Sequence, residues 1–254
     1  MGLKSFENRY VISEHEIEQD GNGAQALEVH SKAELMGMAN LYKYIKNYEV
    51  SAMTGDDFSI FELQELHRRL FAYTPYPEAA GKFRNISVFL PGSGISISQP
   101  ERIIYDFIDL SYDFEQIMNL PLDTSEELIS YVQSSVILST KLIKIHPFND
   151  GNGRSIRGLL NLMFKKANIP PVYISPEDNV VYRKALESAM ADEEYGGGNY
   201  DDITSFYLYK ICDSLIEITD ASFNKPDEVG GDGSSDVKLY KRGDLKKYSM
   251  ISKS

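Results

Sequence analysis

The sequence has little that could form covalent cross-links or cross a membrane. One of its 254 residues is a cysteine, Cys212, and it has no partner for an internal disulfide. No stretch approaches the roughly 20 uninterrupted apolar residues that a membrane-spanning helix needs. The N-terminus also has no apolar run after a basic start that could serve as a secretory signal. We therefore expect a cytoplasmic protein that does not act at a membrane.

Positive charge is also scarce. Lys and Arg together number 26 against 38 Asp and Glu, which gives a formal net charge of −12. Such a balance repels phosphate backbones over long range. We therefore do not expect nucleic acid to be a partner.

The hydrophobic residues are abundant and follow a helical pattern. They make up 42% of the sequence, enough for a sizeable core in one main domain. They recur at three- and four-residue spacing, and strand-like alternation is rare. The pattern predicts a mainly α fold. The helices it indicates cover Leu27 to Tyr48, Phe58 to Phe71, a stretch resuming near Glu101, the stretch from the Thr124 capping box to Ile145, the stretch from Arg154 to Pro170, Tyr182 to Met190, and the residues after Tyr200.

Residues 85–98 interrupt the helical pattern. Apolar and small polar residues alternate on both sides of a Pro-Gly-Ser-Gly sequence at residues 91–94. Alternation around such a turn predicts a β-hairpin.

The two ends of the chain differ from its centre. We expect residues 1–24 to be a separate N-terminal segment and residues 25–218 to be the main domain. Residues 219–254 are rich in Asp, Gly, Ser and Lys, a composition typical of a flexible charged tail.

Residues 146–157 read HPFNDGNGRSIR and lie between two predicted helices. Gly151, Asn152 and Gly153 fall where the second of these helices begins. Their backbone N–H groups can converge on a phosphate there, and the helix dipole adds positive potential. The segment therefore predicts an anion site.

The charged and titratable residues of the segment fit a polyphosphate. Arg154 and Arg157 are three residues apart, hence on one helix face, and guanidinium groups suit paired phosphate oxygens. Asp150 offers a hard oxygen ligand for Mg²⁺, which usually binds through one or two carboxylates plus substrate phosphates. His146 can accept a proton from an attacking hydroxyl near neutral pH.

This segment resembles the signature of the Fic family, HPFx[D/E]GNGRxxR, with every specified position filled. The family has similar segments at residues 61–69 (FELQELHRR), at 80–84 (AGKFR), at the predicted hairpin and at 168–171 (NIPP). The resemblance covers roughly residues 25–218. It implies a Fic-type helical bundle with one β-hairpin flap. It also implies a protein adenylyltransferase, which transfers AMP from ATP to a Ser, Thr or Tyr hydroxyl of a target protein.

The resemblance assigns a role to each motif residue. His146 would be the general base and Asp150 the Mg²⁺ ligand. The backbone from Gly151 to Gly153 would form the anion hole, and Arg154 and Arg157 would bind the β- and γ-phosphates of ATP.

Two further roles follow from the resemblance outside the motif. Tyr182 resembles a family position beside the adenine ring, whereas Met190 stands where relatives often carry Asn. Residues 85–98 would form the flap that pairs with an extended segment of the target protein by main-chain hydrogen bonds.

The resemblance also suggests a regulatory residue. Many Fic domains carry a glutamate that pairs with the second motif arginine, here Arg157, and blocks productive seating of the γ-phosphate. Glu18 lies at about the right separation upstream, although Glu14 and Gln19 depart from the family pattern [S/T]xxxE[G/N]. We interpret Glu18 as inhibitory; the alternative is the solvated face of a short acidic helix.

Other activities stay open at this point. A Doc-like phosphotransferase would transfer the γ-phosphate, but Doc proteins typically carry Lys near the position of Gly153. Transfer of another nucleotide or of phosphocholine is a second alternative. A non-enzymatic nucleotide-binding module is disfavoured because His146 and Asp150 are both present. The sequence identifies no target protein and leaves a homo-oligomer open.

Overall fold

The computed structural model describes residues 23–53, 58–75, 77–89, 95–191 and 198–223. The predicted N-terminal segment with Glu18 lies outside these residues, except for its last two positions, and so does the chain after residue 223. Within the described residues, no helix is long and apolar enough to span a membrane.

The described residues are mainly helical, which confirms the mainly α part of the predicted fold. The helices are α1 (Gly23–Asn47), α2 (Glu62–Phe71), α3 (Ile103–Met118), α4 (Ser125–Ile145), α5 (Asn152–Lys166), α6 (Asn179–Met190) and α7 (Asp201–Phe223), and short 3-10 turns cover Val50–Met53, Pro77–Ala79 and Pro100–Arg102.

The predicted hairpin is not confirmed. Its arms at residues 85–89 and 95–98 are non-helical, but they carry no strand assignment in the part that the structure describes. The turn at residues 90–94 lies outside the described residues. The β-hairpin therefore stays a prediction.

The helix α4 begins at the predicted capping box. The Thr124 hydroxyl accepts from the Glu127 backbone N–H at 3.2 Å, and the Glu127 carboxylate accepts from the Thr124 N–H at 2.9 Å. These reciprocal bonds satisfy amide groups that have no partner within the helix. They fix where α4 starts.

Helices α4 and α5 contribute to both hydrophobic clusters of the fold. One cluster joins them to residues of α1, α2 and α3 and contains Phe148. The other joins them to α6 and α7 and contains Phe164 and Tyr182. The turn between α4 and α5, which carries the motif, is therefore held by the two central helices.

Helices α1 and α2 touch backbone to backbone at Gly37. A Cβ atom at this position would lie 1.9 Å from the carbonyl oxygen of Leu70. No side chain fits in that space. Glycine at position 37 therefore allows the close approach of α1 to α2.

Candidate active site

His146 lies just past the end of α4 and adopts a left-handed backbone conformation, with φ 53° and ψ 60°. Its backbone N–H still donates to the carbonyl of Leu142 at 3.1 Å. This conformation turns the chain out of the helix, and it is uncommon for a residue other than glycine.

The surroundings of His146 keep its imidazole neutral. Burial and, secondly, the positive charge of Arg84 lower its pKa from 6.5 to about 4, against a smaller opposing effect of the Ile143 carbonyl. Among the described residues its Nδ1 atom is buried and makes no well-formed hydrogen bond. A neutral imidazole can accept a proton at neutral pH.

His67 of α2 packs against the motif and is hydrogen-bonded to it. Its ring stacks on Phe71 and on Phe148, with centroid distances of 4.4 and 3.9 Å. Its Nδ1 accepts from the Gly81 N–H at 2.8 Å, so Nε2 carries the hydrogen and donates to the Asp150 carbonyl at 3.0 Å. This buried histidine thus fixes the backbone at Asp150. The sequence does not indicate a role for His67, because a single histidine in a helical pattern is not distinctive.

The side chain of Asn152 closes the motif loop on itself. Its Oδ1 accepts from the Phe148 N–H and its Nδ2 donates to the Phe148 carbonyl, both at 2.8 Å. The residue is 2% exposed, so these bonds are shielded from water. The backbone of Asn152 remains part of the predicted anion site, while its side chain stabilises the loop conformation.

Replacing Asn152 with alanine is expected to lower the free energy of unfolding by about 1–3 kcal/mol, because both buried Phe148 groups lose their partner. Urea unfolding of wild type and variant measures the difference. Asn149→Ala is the matched control, since the buried Oδ1 of Asn149 has no hydrogen-bond partner in the described region. Equal losses in the two variants would contradict the bracing role.

The N-cap residue of helix α5 is Gly151, which has a left-handed φ of 73° and offers no side-chain cap. The first turn of α5 contains no acidic residue. The positive end of the helix dipole is therefore not offset within that turn, which suits an anion. The Gly151 N–H itself donates to the Asp150 carboxylate at 2.5 Å.

The two motif arginines have different partners. Arg154 donates to Glu34 of α1 at 2.9 Å and pairs with Asp150 at 3.3 Å. The Arg157 guanidinium lies 5.8 Å from the centre of the Tyr182 ring. Glu34 could not be identified from the sequence, because it lies 120 positions before Arg154 and outside every motif.

Tyr182 lies beside Arg157, but most of its surface is in the core. It is 5% exposed and its ring packs 5.5 Å from that of Phe206. Its predicted contact with adenine is not tested by this arrangement and stays a prediction.

Gly153 faces Arg157. A Cβ atom at Gly153 would lie 3.0 Å from a terminal nitrogen of Arg157. A larger residue at position 153 would therefore require that guanidinium to move.

Asp150 is suited to bind a metal ion whose other ligands are supplied mainly by a phosphate-bearing substrate. No group of three or more potential metal-ligating side chains occurs in the described part of the chain. The Asp150 carboxylate is 12% exposed and faces the start of α5. One partly accessible carboxylate matches Mg²⁺ bound through phosphate oxygens and water, and it does not match an all-protein metal site.

These features define a helical domain with a polar site between two core helices. The turn that joins the helices provides a carboxylate, and the N-terminal end of the second helix provides backbone amides and two arginines. The sequence model of the Fic/DOC family matches residues 57–164. The match includes the whole motif, so this part of the chain is similar to Fic/DOC domains.

Curated relatives in this family carry the name protein adenylyltransferase. The chain is 28% identical over 176 residues to "Protein adenylyltransferase Fic" of Nematostella vectensis, covering 69% of this chain and 36% of the relative. It is 28% identical over 213 residues to "Protein adenylyltransferase fic-1" of Caenorhabditis elegans, covering 84% of this chain and 37% of the relative. The chain thus spans about a third of the length of these relatives.

Solved structures share the fold. A structure of Fic-1 from C. elegans superposes with a TM-score of 0.58 at 26% identity, covering 77% of this chain and 53% of that one. BepC from Bartonella tribocorum, solved with bound AMPPNP, superposes with a TM-score of 0.52 at 19% identity, covering 71% and 86%. The latter likeness concerns the fold alone.

Proposed function

We propose that this protein is an adenylyltransferase that transfers AMP from ATP to a Ser, Thr or Tyr hydroxyl of a target protein. The observation that carries the proposal is the complete motif, held with its neutral histidine at the end of α4 and its amides and arginines at the start of α5. The names of the curated relatives support it. BepC, a protein of the same fold, binds an ATP analogue.

In the proposed reaction His146 is the general base. It accepts the hydroxyl proton as the acceptor oxygen forms a bond to the α-phosphorus of ATP. The bond from that phosphorus to the oxygen bridging to the β-phosphorus breaks, and pyrophosphate leaves with the bonding electrons.

The remaining motif residues would bind the leaving group. The amides of Asn152 and Gly153 and the guanidinium groups of Arg154 and Arg157 offer donors to phosphate oxygens. Asp150 would hold Mg²⁺, whose charge, when the ion is bound, offsets that of the pyrophosphate. Tyr182 would lie beside the adenine, and the predicted flap at residues 85–98 would receive the target.

The direct test uses two forms of labelled ATP. The protein is incubated with a cell lysate, as the source of target proteins, and with ATP labelled on either the α- or the γ-phosphorus. Label transferred from the α-position, with an AMP mass increment on the product, is expected. Transfer from the γ-position would favour a Doc-like phosphotransferase, and transfer only from UTP or a choline nucleotide would favour another group. An Asp150→Ala variant and added EDTA should both abolish the signal.

The rate of transfer is expected to be nearly constant between about pH 6 and 8 and to fall only as the pH approaches 4. The reason is that the lowered pKa of His146 leaves the imidazole deprotonated over that range, whereas an unperturbed histidine would titrate near 6.5. Initial rates with α-labelled ATP across the range measure this. A half-maximal rate near pH 6.5 would contradict the assigned environment.

A further inference from the structure

Arg84 is a buried arginine whose hydrogen bonds all go to backbone carbonyls. It is 3% exposed, and it lies just before the predicted flap. In the described part of the chain none of its hydrogen bonds reaches a carboxylate, and Glu101 acts on it only through its charge. Burying a guanidinium that is not paired with a carboxylate costs free energy unless its N–H groups are hydrogen-bonded. The backbone carbonyls around Arg84 supply those hydrogen bonds.

Two of these carbonyls belong to the end of α4. The Nε of Arg84 donates to the His146 carbonyl at 2.7 Å, and a terminal nitrogen reaches the Ile145 carbonyl at 3.4 Å. The backbone N–H of Arg84 donates to the Pro147 carbonyl at 2.8 Å. Carbonyls at a helix C-terminus lack partners within the helix and attract a cation. Arg84 therefore fixes the backbone on both sides of the left-handed turn at His146.

The other two carbonyls lie in the two arms of the predicted flap. One terminal nitrogen donates to Ile86 at 2.8 Å, and the other donates to Ser98. No strand pairing joins these arms in the part that the structure describes. The guanidinium of Arg84 thus links both arms to each other and to the residue that carries the imidazole.

We propose that Arg84 is a positioning residue for the transfer reaction: it holds His146 and the two described arms of the predicted flap, residues 85–89 and 95–98, in one fixed arrangement, so that a hydroxyl presented by the flap meets the imidazole. This inference rests on the proposed function. Lysine cannot replace Arg84, because an ammonium is a point charge with three donors and lacks the planar fork that reaches four carbonyls here. Arg84 does not touch the reacting atoms; it acts through the backbone.

The test compares Arg84→Lys with the wild type at saturating ATP. Misplacement of a reacting group by about 1 Å can cost on the order of 100-fold in rate. We expect kcat per ATP-binding molecule to fall at least about 10-fold and KM for the target to rise, while KM for ATP stays within about 2-fold. A purely structural role would lower the number of ATP-binding molecules and leave kcat per binding molecule unchanged, and that result would overturn the proposal.

The control variant is Arg102→Lys, an exposed arginine whose partner is Asp106. It should leave every parameter unchanged. Ethylguanidinium added to Arg84→Ala should restore part of the lost kcat, since the ion can occupy the space of the missing group. Failure of rescue in a variant that binds ATP normally would count against the proposal.

A further measurement needs no variant and does not depend on activity. Hydrogen exchange of the wild type should show the Arg84 segment and the turn at His146 opening together, as one cooperative unit. The amides to follow are those of Arg84 and His146, which donate to the carbonyls of Pro147 and Leu142 and should exchange at the same rate. Independent opening of these segments would overturn the positioning role even if Arg84→Lys failed to fold. Absence of transfer by the wild type would instead refute the proposed function, and the exchange result would still decide whether Arg84 links the segments.

Discussion

Replacing His146 with alanine is expected to abolish AMP transfer while the fold and ATP binding remain nearly intact. General-base catalysis contributes roughly 10²- to 10⁴-fold to a rate, and no other described group of the motif is a neutral base. The substitution breaks no well-formed side-chain hydrogen bond of Nδ1 in the described residues. The contacts to Arg84 and Leu142 use the backbone and survive the substitution.

Label transfer from ATP carrying the label at the α-phosphorus measures the loss, and calorimetric ATP titration measures binding. His146→Asn is a second variant of the same kind, because an amide is polar but cannot accept the proton. It should be as inactive as the alanine variant. Near-wild-type transfer by either variant, with its fold verified by circular dichroism, would show that the base is another group.

Replacing Gly151 with alanine is expected to lower the free energy of unfolding by about 2–5 kcal/mol and to weaken ATP binding. The left-handed backbone at Gly151 costs a residue with a Cβ roughly 1–2 kcal/mol. The added atom would also lie 2.5 Å from the ring of Phe71 and 3.0 Å from Leu70, and such overpacking costs about 1–3 kcal/mol. Relief of the clash would move the start of α5 and with it the amides of the predicted anion site.

The chain supplies a matched control for this variant at Gly198. Its φ of 80° is also left-handed, but a Cβ atom there would meet nothing within 4 Å. Gly198→Ala should therefore show the backbone cost alone, about 1–2 kcal/mol, and unchanged ATP binding. Urea unfolding measures the stability of both variants, and calorimetry measures their ATP binding. Comparing the two variants separates the cost of backbone strain from the cost of the steric clash. Equal effects at the two positions would show that the packing of Gly151 against α2 does not matter.

The local parts of the structure were predictable from the sequence. The capping box at Thr124 and the helical spacing after Arg154 report on contacts within a few residues, and α4 and α5 occur where these signals place them. Residues 146–151 form the turn between those helices, and residues 152–157 are the start of α5. Such a segment could be interpreted as a unit, because its functional groups are neighbours along the chain.

The bracing of the motif could not be predicted from the sequence. His67, Arg84 and Glu34 reach it from 62 to 120 positions away. Periodicity identifies which face of a helix is buried, but it does not identify the residue that the face meets. A buried arginine whose partners are carbonyls leaves no trace in the sequence either, because every residue has a carbonyl.

The contact between Gly37 and Leu70 sets the rotation of α1 about its own axis. One residue along a helix corresponds to a turn of about 100° and a rise of 1.5 Å. Glu34 precedes Gly37 by three residues, nearly one turn, so the glycine and the carboxylate that meets Arg154 lie close to the same side of α1. Any side chain at position 37 would lift that side away from α2. Arg154 would then lose the Glu34 carboxylate through a change that touches neither residue, and the charge around the start of α5 would become more positive.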